Sequence, residues 1–262
     1  MYIVFFAVSF FACIIGRICG MGGGVIIKPV LDSLGIMSVA TINFLSGCTV
    51  LGMTFWSIGK GAIKKESQVD LKTSTPLAAG AAVGGIMGKA CFSAAERLFA
   101  DPDTAGGIQA FLLLLATFAT FLYTLRKDRI RSMHVSHPVL IILIGLALGM
   151  LGSFLGIGGG PFNMAVLFLF FSMPTKTAAQ NSLYIILISQ LASLLLQLFT
   201  GNVPPVIPAV LTGMILAGIL GSETGSMINK RLNDKRTTVL FEGAMILVML
   251  ICLYNIKRFT SP

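Results

Sequence analysis

The chain has 262 residues, of which 55% are hydrophobic and 11% charged, with a mean hydropathy of +0.90. A soluble domain carries about 25% charged residues, so this composition excludes a soluble globular protein and describes an integral membrane protein. Lys and Arg outnumber Asp and Glu by 19 to 10, but no stretch interleaves basic with aromatic residues, so the excess points to membrane loops and not to a nucleic-acid partner.

Ten apolar segments follow one another, at 2–15, 25–35, 39–58, 76–92, 108–125, 139–151, 161–171, 178–199, 206–221 and 239–256. Short linkers join them, which predicts one all-α membrane domain lying in the lipid bilayer. A signal peptide would need a basic leader, and the first basic residue is Arg17, so the first segment is expected to be retained structure. Cys13, Cys19, Cys48, Cys91 and Cys252 lie in or beside apolar runs without a CxxC pair or a partner histidine. They read as core filler, and neither a metal site nor a cofactor is expected.

One motif occurs twice. Gly16, Gly20, Gly22, Gly23 and Gly24 recur at identical spacing as Gly152, Gly156, Gly158, Gly159 and Gly160, an offset of 136 residues. Met37 and Met173, Thr41 and Thr177, and Ser46 and Ser182 keep that offset. Further on it shrinks slightly: Gly80, Gly85 and Gly88 match Gly213, Gly218 and Gly221, and Tyr123 matches Tyr254. The chain therefore reads as two five-segment halves, 1–131 and 132–262.

Charge suggests how the halves face. Lys60, Lys64, Lys65 and Lys72 lie in the linker before the fourth segment, whereas the matching linker at 200–205 has no charge. The next linker reverses this, with Asp101 and Asp103 in the first half against Lys230, Arg231, Lys235 and Arg236 in the second. With Arg126, Lys127, Arg129 and Arg131 between the halves, the positive-inside rule predicts an inverted repeat with both termini external; Lys257 and Arg258 run against that placement.

Three consecutive glycines break a helix, since each costs roughly 1 kcal/mol relative to alanine. Helix resumes at once, at about Val25 and at Pro161, because proline suits the first helical position. Each new helix begins with unpaired amides and about half a positive charge, an arrangement that receives anions. The segment after each break is roughly 17 Å long against a hydrocarbon core of roughly 30 Å, so the break is expected part-way through the bilayer. There, non-helical backbone survives only inside protein or against a water-filled cavity. A nucleotide-binding loop is set aside, because neither a preceding strand nor a Gly-Lys-Ser/Thr ending is present. Gly80, Gly84, Gly88, Gly213, Gly218, Gly221 and Gly225 read instead as close helix packing.

Polar side chains gather near the breaks. Asn43 and Ser46 in one half, with Gln180, Asn181 and Ser182 in the other, lie near the starts of apolar helices, and Asn163 lies three residues into a short one. Each is either a hydrogen-bond donor to an oxyanion or interhelical glue. Ser189, Gln190, Ser193 and Gln197 continue a polar face suited to a path wall. Among charges, Lys28 and Asp32 stand four apart and either pair together or leave Lys28 to attract an anion. Arg17 is a substrate-facing charge or a snorkelling helix end, while Lys89, Glu223 and Glu242 lie near probable ends, where snorkelling or ion pairing is expected and proton coupling by Glu223 or Glu242 is the alternative. His134 and His137 are expected in solvent.

The paired glycine motifs, the short segment after each and the duplicated halves resemble the TauE/SafE family of sulfite exporters, also called the toluene sulfonate uptake permease family. The resemblance covers essentially the whole chain. It implies a transporter, not an enzyme, for small sulfur-containing anions such as sulfite, sulfonates or sulfoacetate. Family members usually carry a proline a few residues after the glycines; Pro29 matches in the first copy, whereas the second has Pro161 directly after them and Ala165 at the matching place. The family's Thr-Ser after the second break is matched by Asn181 and Ser182.

The expected function is a secondary carrier of the cytoplasmic membrane that exports a small oxyanion by alternating access. The anion is expected near the midplane, on Gly22, Gly23, Gly24, Gly158, Gly159, Gly160, Asn43, Ser46, Asn181 and Ser182, with Gly20, Gly156, Asn163 and Gln180 beside them. The alternatives are an anion channel, an uptake permease for another small anion, and a membrane enzyme acting on sulfur compounds, for which Cys19 lacks a nearby histidine.

Overall fold

The computed structural model describes residues 2–98, 102–127, 130 and 132–260. Asp101, Arg129 and Arg131, three of the linker charges, lie outside the described residues. Among those described there are ten helices and no strand: α1 (Tyr2–Cys19), α2 (Gly24–Leu34), α3 (Val39–Ile63), α4 (Leu71–Leu98), α5 (Pro102–Arg126), α6 (Pro138–Phe154), α7 (Pro161–Phe171), α8 (Thr175–Phe199), α9 (Pro208–Arg231) and α10 (Asp234–Thr260).

Each helix covers one apolar segment, and most run past its ends. α3 continues through Lys60, and α4 begins five residues before Pro76, where Asp70 accepts from the Lys72 amide at 3.1 Å and the Thr73 hydroxyl at 2.7 Å. Apolarity marks the portion in lipid, whereas the helix proceeds until a cap or glycine stops it. α3 opens on Ser38, whose hydroxyl accepts from the Thr41 amide, and α2 closes on Gly35 in the left-handed region.

Among the described residues, seven helices are long and apolar enough to cross a membrane: α1, α3, α4, α5, α8, α9 and α10. α2 and α7 have 11 residues each, about 17 Å of helix. They lie inside the bundle. Among described residues α7 has no exposed large apolar side chain and α2 has only its final Leu34, whereas Phe11, Phe55, Val83, Phe111, Leu143, Leu195, Leu216 and Leu250 point outward from the other eight helices. In a membrane protein that outward apolar surface faces lipid.

Small residues set the closest packing. A Cβ on Gly80, Gly84 or Gly88 would overlap main-chain carbonyls of Ile142, Leu146 or Met150 on α6, and one on Gly145 or Gly149 would overlap Leu77 or Ala81 on α4. Gly221 and Gly225 meet the Phe10 and Ile14 carbonyls of α1 in the same way. These glycines serve packing, as their spacing suggested. Gly85 differs, for it faces the Ser153 and Ser193 hydroxyls.

The packing partners interchange when α1–α5 is exchanged with α6–α10. α1 packs on α9 as α6 packs on α4, α2 on α10 as α7 on α5, and α3 on α9 as α8 on α4. The pairs α3 with α8 and α5 with α10 map onto themselves.

Replacing Gly84 by alanine forces apart the α4 and α6 backbones and is expected to cost about 1–3 kcal/mol. Gly243, with open space around its Cα, is the control: its alanine variant should melt no lower than wild type when both are followed by thermal denaturation in detergent.

Candidate functional site

The two glycine breaks meet inside the bundle. α1 ends where Gly20 enters the left-handed region at φ 70°, and α6 gives way to the same conformation at Gly156, also at φ 70°. Neither conformation suits a residue with a Cβ. The first glycine of each motif has a different purpose: a Cβ on Gly16 would lie 2.5 Å from Gly22 C, and one on Gly152 would lie 2.6 Å from the Gly159 nitrogen, so the loop folds back on the helix that precedes it. Met21 and Ile157, the apolar residues within the breaks, are fully buried, as are Val25, Val50 and Ile186 around them.

Each break rests on the third helix of the other half. Gly20 lies against Ala179 of α8, and Ser182 donates from its hydroxyl to the Gly20 carbonyl at 2.5 Å. Gly156 lies against α3 and α2: its Cβ would be 2.6 Å from Asn43 Cγ on α3 and 3.0 Å from Lys28 Cε on α2. Gly24 completes the convergence: its Cβ would be 2.9 Å from the Ile157 carbonyl and 3.2 Å from Ser46 Oγ. The starts of α2 and α7 are therefore neighbours, and their partial positive charges add.

Hydrogen bonding separates free groups from occupied ones. Gly158 donates its amide to the Gly152 carbonyl at 3.0 Å, which corrects the expectation that this amide holds an anion. Among described residues no acceptor is found for the amides of Gly22, Gly23, Gly24, Gly159 or Gly160. Ser46 is fully buried with its hydroxyl unpartnered, and Asn163, 1% exposed on the first turn of α7, has both Oδ1 and Nδ2 unpartnered. Asn43 Oδ1 is also unpartnered. A buried polar group without a partner costs about 1–3 kcal/mol, so this cluster is expensive unless something occupies it.

Asn181 and Gln180 turn elsewhere. Asn181 accepts from the Asp70 amide at 2.8 Å and the Ser74 hydroxyl at 2.5 Å, and donates to the Gln68 and Thr177 carbonyls. Gln180 accepts from the Gln68 amide at 2.9 Å. Both pin the loop at 64–70 and the start of α4, so their expected place at the glycine break is corrected: one residue of helix, about 100°, separates Asn181 from the Ser182 face, and two residues, about 200°, separate Gln180 from it.

Two cavities approach the centre from opposite ends of α3 and α8. One, of about 1030 Å³, reaches Gly156, Gly158 and Asn43 past Gln190, Ser193, Gln197 and Lys89. Gln190, Ser193 and Gln197 thus form the polar wall expected of them, whereas Ser189 instead donates to the Ile186 carbonyl. Lys89, which the sequence placed at a snorkelling end, lines this cavity. Its only advance signal was a lysine interrupting an apolar run.

The other cavity is about 340 Å³ and includes Arg17, Lys60, Lys64, Lys176, Lys230, Glu66 and Glu223. Lys60 is ion-paired with Glu223, which also accepts from the Trp56 indole at 3.1 Å, so Glu223 belongs to a polar cluster at this mouth. Lys230 bonds Glu66 across the same mouth at 2.8 Å. That hydrogen bond first, and the charge of Lys230 second, hold the Glu66 carboxyl below the usual carboxylate range. Arg17 has Nε and one terminal nitrogen buried without partners. Glu242, half-buried on α10, lines neither cavity. His134 and His137 are exposed. Of the cysteines, Cys91 is exposed and departs from the core-filler reading, while Cys13, Cys19 and Cys252 fit it.

Replacing Asn181 by alanine removes the acceptor at the start of α4 and is expected to cost about 1–3 kcal/mol. Thermal melting in detergent and faster proteolysis at 64–70 would report it; an unchanged melt would mean that these bonds do not hold the loop.

The sulfite exporter TauE/SafE family model matches residues 5–252. A curated relative, the "Probable membrane transporter protein YunE" of Bacillus subtilis (strain 168), is 22% identical over 272 residues, covering 94% of this chain and 95% of its own length. No solved structure matches the chain. The family is one of membrane transporters and not of enzymes, which agrees with a bundle of apolar helices around two buried breaks, and the match over nearly the whole length makes the chain a member of the sulfite exporter TauE/SafE family.

Proposed function

We propose that this transporter is a secondary carrier that exports a small sulfur-containing oxyanion, sulfite or an organosulfonate, across the cell membrane by alternating access. The observation that carries the reading is the junction of the α2 and α7 starts, where Gly24 lies beside the unpartnered Ser46 and Gly159 beside the unpartnered Asn163, and where the amides of Gly22, Gly23, Gly24, Gly159 and Gly160 have no acceptor among the described residues. An oxyanion needs several donors and tolerates no carboxylate among them. Asn43 and Asn163 would donate through their amide groups and Ser46 through its hydroxyl.

The interchange of packing partners supports two repeats, 1–131 and 132–262, with inverted orientation taken from the loop charges. On that orientation the cavity of about 1030 Å³ faces outward and the smaller basic one faces the cytoplasm, so the carrier is in an outward-open form. Rocking of the halves would reverse the two cavities around a fixed anion. Outward movement of each negative charge from a negative interior releases roughly 2.3 kcal/mol per 100 mV, which favours export without an obligatory driving ion.

Replacing Asn163 by leucine and Ser46 by alanine removes groups that have no protein partner, so both variants should melt at or above the wild-type temperature. On this reading they lose sulfite affinity by about tenfold or more, measured by calorimetry on purified protein against sulfite, sulfate, thiosulfate, sulfoacetate and nitrite. Undiminished binding in both would remove the junction from the transport path. Orientation is tested in a background without native cysteines: Asn202→Cys should react with an impermeant maleimide in intact cells, and Ser67→Cys only after permeabilisation.

A further inference from the structure

The one deeply buried ion pair among the described residues lies directly behind the proposed anion site. Lys28 Nζ is 2.5 Å from Asp32 Oδ2, and each side chain is 3% exposed, whereas the Lys60–Glu223 and Lys230–Glu66 pairs are at least 30% exposed on both sides. Lys28 Cε also lies 3.0 Å from the point where a Cβ on Gly156 would sit, a point that Asn43 crowds as well. Gly156 and Asn43 form the inner end of the cavity of about 1030 Å³.

Three features argue against a purely structural pair. Asp32 Oδ1 is buried and unpartnered, so the carboxylate is only half satisfied, a costly state for a buried charge. The bond runs within one helix, so it joins no two elements. At the repeat offset of 136, Lys28 and Asp32 correspond to Met164 and Phe168, both buried on α7, so the fold seats an apolar pair at the matching place. The end of α2 is held by other contacts, for Asn255 donates to the Pro29 carbonyl at 2.8 Å and Arg258 donates to the Asp32 main-chain carbonyl.

We propose that Lys28 is the cation that selects anions at the Gly156 break and that Asp32 is its placeholder in the empty carrier. The incoming oxyanion displaces Asp32 from Lys28, and Arg258, already bonded to the backbone of Asp32, is the cation left to balance the released carboxylate. The exchange keeps Lys28 paired at every stage, so the site offers neither a bare buried cation nor an attractive path for a neutral solute or a metal cation. The inference rests on the oxyanion reading of the junction given above.

Wild type, Lys28→Met, Asp32→Asn and the double variant are compared by melting in detergent and by calorimetry with sulfite. Removing the competitor should make Asp32→Asn bind about tenfold tighter, and removing the cation should make Lys28→Met bind at least about tenfold more weakly. The double variant, uncharged at both places as Met164 and Phe168 are, should melt close to wild type and still fail to bind. A structural pair predicts the reverse: no gain in Asp32→Asn, and a double variant that binds within about twofold of wild type; either result overturns the inference while leaving the oxyanion reading intact. Wild-type protein that binds none of sulfite, sulfate, thiosulfate or sulfoacetate would overturn the oxyanion reading, and this inference with it.

Discussion

Backbone that is not helical cannot meet lipid, and most of this architecture follows from where two such pieces of backbone are put. At both breaks the chain leaves α-helix with amides unbonded, and each is hidden by the third helix of the other half, through Ala179 and Ser182 on one side and Asn43 on the other. The short helices that follow have to lie inside as well. That is why α2 and α7 show almost no exposed apolar surface while the eight remaining helices do.

Hiding the breaks demands close approach, and the glycine pattern supplies it. α4 and α6 touch through main-chain carbonyls at Gly80, Gly84, Gly88, Gly145 and Gly149, and α1 and α9 do so at Gly221 and Gly225. Without a hydrophobic driving force between helices in a bilayer, such contacts and their dispersion energy hold the bundle together. Around the junction of α2 and α7 that packing is apolar, through Val25, Val50, Ile157 and Ile186, so Ser46 and Asn163 remain buried without partners.

The halves resemble each other in packing but not in chemistry. Arg17 in the first motif stands where the second has Ser153, and each lines the cavity at its own end. Ser182 is tied to the Gly20 carbonyl while its counterpart Ser46 is free. Lys28 and Asp32 have apolar counterparts in Met164 and Phe168. A symmetric site would bind its ligand with two equal hands. In the site proposed above, the Lys28–Asp32 pair lies on α2, and unpartnered amide side chains lie on α3 and α7.

Composition and spacing determined the all-α membrane class, the ten segments, the short helices after the two breaks and the packing glycines, because these depend on hydropathy and local backbone preference alone. Pro161 even marked the first residue of α7. Direction in three dimensions was decided only by the tertiary structure. Asn181 and Ser182 are neighbours in sequence, yet helical rotation sends one to the start of α4 and the other to Gly20, and the Gly158 amide is consumed by a carbonyl six residues earlier. Which of these two side chains faces the break depends on contacts between residues more than 100 positions apart, and no local pattern encodes those.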